Sequence, residues 1–178
     1  MSEHVRKSSQ EVEIDHLLAE EFTCDPSFVE RFVAAAGLPC AGFSIGDVVA
    51  EPSLGGLGYG DLLVDGVVDG RRVALLIEDK ITAGPAVRQA ARYAEHAARM
   101  QGGDWDQVWT VLVAPRGYVG ERADYDAFVD LETVAELLRS DDAARLAFRR
   151  AIVQRALGKR AASGVKVADV ALHAMRTE

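Results

Sequence analysis

The chain is short of cysteine, of lysine and of long apolar runs, and each shortage excludes a class of protein. Its two cysteines, Cys24 and Cys40, form no CxxC pair and join no Cys/His cluster. A disulfide framework is therefore not expected, and free thiols in a reducing cytoplasm fit best. The four histidines (4, 16, 96 and 173) lack metal-ligand spacing, which argues against a zinc site. No apolar run approaches the roughly 18 residues that a membrane span needs. The N-terminus, Met-Ser-Glu-His-Val-Arg-Lys, has no apolar signal-peptide core. A cytoplasmic protein with no membrane partner is the expectation. Lysine is outnumbered 4 to 16 by arginine, and Lys80 stands alone between Lys7 and Lys159.

What is present suits one domain over residues 1–178, with a core of ordinary size. Hydrophobic residues make up 49% and charged residues 27%, so disorder is not expected. The net charge of −8 argues against a simple DNA-coating protein, but it is unevenly spread. Residues 1–144 hold 12 basic against 26 acidic side chains, whereas residues 145–166 hold seven basic ones and no acid. That asymmetry points either to a local anion-binding surface or to a solvated helix face.

The most informative stretch lies between Gly60 and Lys80. Asp69-Gly70 is flanked by the apolar, β-branched runs Leu62–Val68 and Val73–Ile77, the strongest short-range signal of a β-hairpin. With residues 69 and 70 as the turn, Val68 pairs with Arg71, and counting back along both strands sets Asp61 opposite Glu78. Side chains alternate faces, so Lys80 shares the face of Glu78 and Asp79 points the other way. Paired residues have Cβ atoms roughly 4.5–5.5 Å apart. Two carboxylates that close repel unless one is protonated or a cation lies between them. A hard divalent cation with oxygen ligands is the natural occupant, and the lysine could steady an anionic substrate. The bland alternative is an ordinary wetted face, which a bulge at Gly66 would also produce by breaking the register. The run Val73–Ile77 is apolar on both faces, hence central and buried, and charges at its end are expensive.

Around this hairpin, residues 9–22 read as an amphipathic helix capped by Ser9, with Ile14, Leu17, Leu18 and Phe22 inward. Glu13 and Glu20 are seven apart on one face, so either could lean toward a site. Asp25-Pro26 opens a helix over 26–36 that ends at Gly37. Residues 37–60 hold one short strand and then a loop, 52–60, whose four glycines could shape the entrance to the site. A helix is expected from about Ala86 to Met100. On it Gln89 and Tyr93 project from one side, beside a stripe of Arg88, Arg92 and Arg99. Gln107–Ala114 reads as a strand, and the strand–helix–strand order implies a parallel crossover onto the hairpin sheet. A short strand near Phe128–Leu131, a helix over Leu131–Arg139 and a helix over Asp141–Leu157 capped by Ser140 follow.

These residues resemble the PD-(D/E)XK nuclease superfamily. The resemblance rests on Glu-x-Glu-Ile-Asp-x-Leu-Leu-x-Glu-Glu in the first helix, Gly60-Asp61-Leu62, Ile77-Glu78-Asp79-Lys80, and a Gln89-x-x-x-Tyr93 helix of the RecB kind. It runs from about Glu11 to Ala156. It implies an α/β restriction-endonuclease-like core: a central mixed sheet, antiparallel hairpin plus parallel strand, flanked by helices. It also implies a Mg²⁺-dependent hydrolase of phosphodiesters, DNA first, in which Mn²⁺ substitutes. Asp61 and Glu78 would bind the metal, with Asp79 through its carbonyl and Glu20 or Glu13 completing the site. Lys80 would assist the attacking water, and Gln89 and Tyr93 would hold the DNA and the site. Arg88, Arg92, Arg145 and Arg149 would line the phosphate path. The residue before Asp61 is Gly60 where the family has proline. Members of this kind usually continue past residue 178, so a homodimer or a further C-terminal region is left open. The other function class is a nuclease fold that binds or assembles without cutting.

Overall fold

The computed structural model describes residues 8–81, 88–120 and 122–174, with side chains described up to residue 158. A five-stranded mixed sheet has the order β1-β2-β3-β4-β5, formed by Ser44–Ala50, Leu62–Val68, Arg71–Asp79, Gln107–Ala114 and Ala127–Asp130. The β1/β2 and β2/β3 pairs are antiparallel, while β3/β4 and β4/β5 are parallel. Val68 does pair with Arg71, and Leu62 pairs with Ile77, so the register expected from the Asp-Gly turn holds along the whole hairpin. Asp69 and Gly70 take φ of 51° and 75°, the left-handed pair that a two-residue hairpin turn requires. The bulge lies in β1, between Ile45 and Val48, and leaves the β2/β3 ladder unbroken.

Alternation along β3 divides the core. Val73, Leu75 and Ile77 face helices α1 (Ser9–Cys24), α2 (Pro26–Ala35), α4 (Leu131–Leu137) and α5 (Ala143–Ala174). Ala74 and Leu76 face α3 (Gln89–Gln101) together with Tyr93, Ala97 and Met100. The sheet is thus covered on both faces, and β3 reads as a continuous apolar run because it has no wet side.

Several helix boundaries differ from the sequence reading. Ser8, not Ser9, caps α1: its hydroxyl accepts from the Glu11 N–H, and Glu11 accepts from the Ser8 N–H. This reciprocal capping box satisfies two of the helix's orphan donors. Asp142 rather than Ser140 accepts from the first N–H groups of α5, those of Ala144 and Arg145. That helix runs on past Leu157, the end expected from the sequence, to Ala174. Helix α3 begins at Gln89, and residues 86 and 87 of its expected start lie outside the described residues. Cys40 is buried and Cys24 exposed, both free thiols, and burial pushes the Cys40 thiol up to about 11. Among the described residues, no helix is long and apolar enough to cross a membrane.

Candidate active site

Parallel pairing brings the C-terminal ends of β3, β4 and β5 to one edge of the sheet. The antiparallel hairpin brings Asp61, just ahead of β2, to that same edge. Carboxyl ends of parallel strands are where open α/β sheets bind ligands. The last residues of β3 then divide by face. Glu78 and Lys80 lie on the α3 side. The Lys80 ammonium and the Gln89 amide both donate to Glu78 Oε1. Tyr93, fully buried, lies against the Glu78 carboxylate, and its hydroxyl oxygen accepts from the Asp61 N–H at 3.0 Å. Gly60 stands where a side chain would be crowded. A Cβ there would sit 3.1 Å from the Tyr93 hydroxyl, and the Gly60 N–H donates to the Pro52 carbonyl at 2.9 Å.

Asp79 turns to the α1 side, where the carboxylate of Asp15 meets it. Asp61 joins the two faces: its Oδ2 accepts from the Asp79 N–H at 2.8 Å. Asp15, Asp61 and Asp79 each offer an oxygen within 4.8 Å of the other two, and all three are buried. Neither oxygen of Asp79, which is 2% exposed, meets a hydrogen-bond donor. Burial raises the Asp79 pKa well above its ordinary value, and the neighbouring Asp15, Asp61 and Glu78 raise it further. Burial first, then the Asp61 charge, pushes Glu78 up to about 8 against the pull of Lys80. Burial disfavours the Lys80 ammonium, but Glu78, Asp61 and Asp79 together hold its pKa above the ordinary value. Buried carboxylates without donors need a proton or a cation. A donor set made only of hard oxygens suits Mg²⁺ or Mn²⁺ rather than a thiolate- or imidazole-seeking metal. The residues present therefore fit a hard divalent cation.

Asp61, Glu78, Asp79, Lys80, Gln89 and Tyr93 are brought together, with Asp79 contributing its side chain where its carbonyl was expected. Glu20 and Glu13 are not part of this group. Glu20 pairs with Arg145 at 2.8 Å and Arg149 at 2.6 Å, and Glu13 with Arg155 at 3.6 Å, because both face α5. The Arg145 hydrogen bond is the largest influence holding the Glu20 carboxyl below its usual range.

The same pairs bear on the phosphate path expected along Arg145 and Arg149. Arg149 is 4% exposed and also forms an ion pair with the buried Glu21 at 2.5 Å, so it docks α5 on α1 instead of facing solvent. Lys159, Arg160 and Lys166 lie outside the described side chains. Arg92 donates to the Leu57 carbonyl at 3.1 Å and so ties down the loop before Asp61. Arg88 is exposed, at the left-handed N-cap of α3.

Asp15 and Glu11 were missed by the sequence reading. Glu11 is 5% exposed and accepts from the Ile81 N–H at 3.3 Å, which straps the segment after Lys80 to α1. The available signal was spacing. Residues 11, 15, 18 and 22 fall on one helical stripe, so these two acids interrupt the apolar face that carries Leu18 and Phe22.

Two surface hollows, of about 580 and 600 Å³, lie elsewhere: one where α1 meets α5, the other between α1, α2 and β1. Neither is lined by Asp61, Glu78 or Lys80. The first is lined by Arg31, Arg145 and Arg149, whose charges are already paired with Asp25 and Glu20. Comparison with protein-family models, with curated proteins and with solved structures returns no match.

Proposed function

We propose that this protein is a divalent-cation-dependent nuclease of the PD-(D/E)XK kind, with a restriction-endonuclease-like core, acting on DNA. One observation carries the reading. Three segments distant in sequence deliver the buried Asp15, Asp61, Glu78 and Asp79 and a partly buried lysine, Lys80, to the carboxyl edge of the sheet. A fold does not bury that many like charges without a use for them.

Asp15, Asp61 and Asp79 would hold Mg²⁺, or Mn²⁺ in its place, while Glu78, on the other face, would hold Lys80 and Gln89 beside the site. The ion would supply Lewis acidity and a bound water of lowered pKa. Lys80, kept protonated by the acids around it, would stabilise charge developing on the phosphate and orient the attacking water. Gln89 and Tyr93 act on the site through Glu78 and Asp61, whose positions they hold. Of the arginines expected along the phosphate path, Arg88 and Arg145 are exposed, and Arg145 is already paired with Glu20. The second reading, a nuclease fold that binds without cutting, is favoured by one fact: Asp61 and Glu78 are only 5% and 1% exposed.

The test is incubation of the protein and its Lys80→Ala variant with labelled single- and double-stranded DNA in Mg²⁺, Mn²⁺ or EDTA. Cutting is expected only with metal, and is expected to fall by about 10²-fold or more in the variant. No cutting, with a melting temperature that still rises in Mg²⁺, would favour the binding module. No cutting and no response to either cation would sink the site itself.

A further inference from the structure

We propose that Tyr59 is a stacking platform for an unpaired nucleobase, so that the substrate of the nuclease site proposed above is single-stranded. Among the described residues, two large aromatic side chains stand exposed: Phe148, on α5, and Tyr59, at 59% exposure, two positions ahead of Asp61. Exposure of one aromatic means little by itself. What distinguishes Tyr59 is how its backbone is held.

The loop from Glu51 to Gly60 contains four glycines, three with φ between 57° and 104°, a composition suited to a slack connection. It is instead tied at nearly every step. Leu54 is fully buried among the α3 cluster and anchors the tip. Ser53 bridges Tyr59 in antiparallel fashion, and the Leu54 N–H donates to the Gly58 carbonyl at 2.8 Å. The Gly60 N–H donates to Pro52 at 2.9 Å, and the Glu51 N–H to the Asp61 carbonyl at 2.9 Å. Arg92 and Arg99 reach across from α3 to the carbonyls of Leu57 and Gly55, at 3.1 and 3.3 Å. Both sequence neighbours of Tyr59 are glycines, so neither has a side chain to cover the ring.

The result is an aromatic ring on a preorganised mount, its backbone continuous with that of Asp61. Ordering a contact in advance of binding removes much of its entropic penalty. An aromatic ring meets the face of a base, and every base has such a face, so this contact tolerates any sequence. In a duplex those faces are covered by neighbouring base pairs. An unpaired strand leaves them open.

The experiment is fluorescence anisotropy with labelled oligo(dT), oligo(rU) and a blunt DNA duplex, with Ca²⁺ replacing Mg²⁺ to hold the strands uncut. The proteins are the wild type, Tyr59→Ala and Tyr59→Phe. Tyr59→Ala is expected to weaken single-strand binding roughly 5- to 100-fold, the measured worth of one stacked base. Duplex affinity and melting temperature should stay unchanged, and Tyr59→Phe should bind as the wild type does. A loss confined to dT or to rU would say which strand is the substrate. An alanine variant that binds single strands like the wild type overturns the stacking role and leaves the nuclease reading intact. An equal loss on duplex, or a loss in Tyr59→Phe as well, overturns it in favour of a backbone or hydroxyl contact. A wild type that binds none of the three removes this inference and the nucleic-acid reading together.

Discussion

Glu78 and Asp79 are neighbours in sequence and face opposite sides of the sheet, yet both respond to the same problem of negative charge without water. Burial is the leading cause of the raised pKa of each, and Asp61 adds to both. The consequence for stability has a definite sign. Glu78 titrates near 4.5 when unfolded and near 8 in the metal-free fold, so between those values the folded state holds the extra proton. In EDTA, stability should therefore fall as pH rises from about 5 to 8, by up to about 1.4 kcal/mol per pH unit from this group. Asp79 pulls in the same direction. Below that window Asp25 and Asp130 act oppositely. Burial raises their pKa, but Arg31 and Ser27 outweigh it at Asp25, and Arg116 and Thr133 at Asp130, so stability is lost again as acid protonates them. Thermal melts in EDTA across about pH 2.5 to 9 should thus peak near about pH 4, and Glu78→Gln should flatten the alkaline limb. A limb that rises toward pH 8 in the wild type would refute burial as the force that dominates the titration of these acids.

At the scale of elements, the hairpin was the legible part because a strand's period of two leaves no freedom once the turn is known. Asp69-Gly70 set the register, the register set Asp61 against Glu78, and the face of Lys80 followed. Helix α1 was legible only in part. Its apolar residues defined which side faces the sheet, but Glu13 and Glu20 were weighed by their mutual spacing, while Asp15 and Glu11 lie on the buried stripe itself. What no local pattern shows is the partner across the interface: Asp79 for Asp15, and Arg149 and Arg155 for the outward acids. The basic segment of α5 looked like a surface for anions, yet Arg145, Arg149 and Arg155 are matched to the acids of α1. Gly66, where a bulge was the alternative to the expected register, has another role. It marks no bulge in its own strand. A Cβ there would lie 2.2 Å from the Ser44 carbonyl oxygen and 2.5 Å from the Phe43 ring. Gly66→Ala must therefore push β1 off β2, and a loss of about 1–3 kcal/mol or more is expected, measurable by urea denaturation. Gly70→Ala, with nothing within 4 Å but φ of 75°, tests backbone strain at the turn by itself. A Gly66→Ala variant as stable as the wild type would mean that β1 is not clamped at this point.

For the molecule as a whole, the candidate site is a joint between two bodies that the apolar core also holds together. The sheet contributes Asp61 and Asp79, and α1 contributes Asp15. Along the same helix, Glu11 reaches the Ile81 N–H, and further on Glu21 is anchored to α5 through Arg149. The C-terminal half of α1 is thus fixed by an ion pair and by Phe22, packed edge-on against Phe28 and Phe32. The N-terminal half depends more on what happens among the three aspartates. Without a cation, three carboxylates within 4.8 Å of one another push α1 away from the sheet. With one bound, the same charges pull the two together, and the fold gains RT ln(1 + [L]/Kd), about 2.7 kcal/mol at a hundredfold excess over Kd. That gain is local, so it should be read locally. In hydrogen exchange, Mg²⁺ is expected to protect residues 9–17 far more than residues 18–24, and to leave the interior of the β2–β3 hairpin nearly unchanged. Asp79→Asn removes one of the repelling charges and offers an amide donor to Asp15, so it should protect the same half-helix in EDTA and abolish the further response to Mg²⁺. Protection spread evenly over the chain would place the cation elsewhere. A response to Mg²⁺ that survives Asp79→Asn unchanged would move it to the other face of the sheet, onto Asp61 and Glu78.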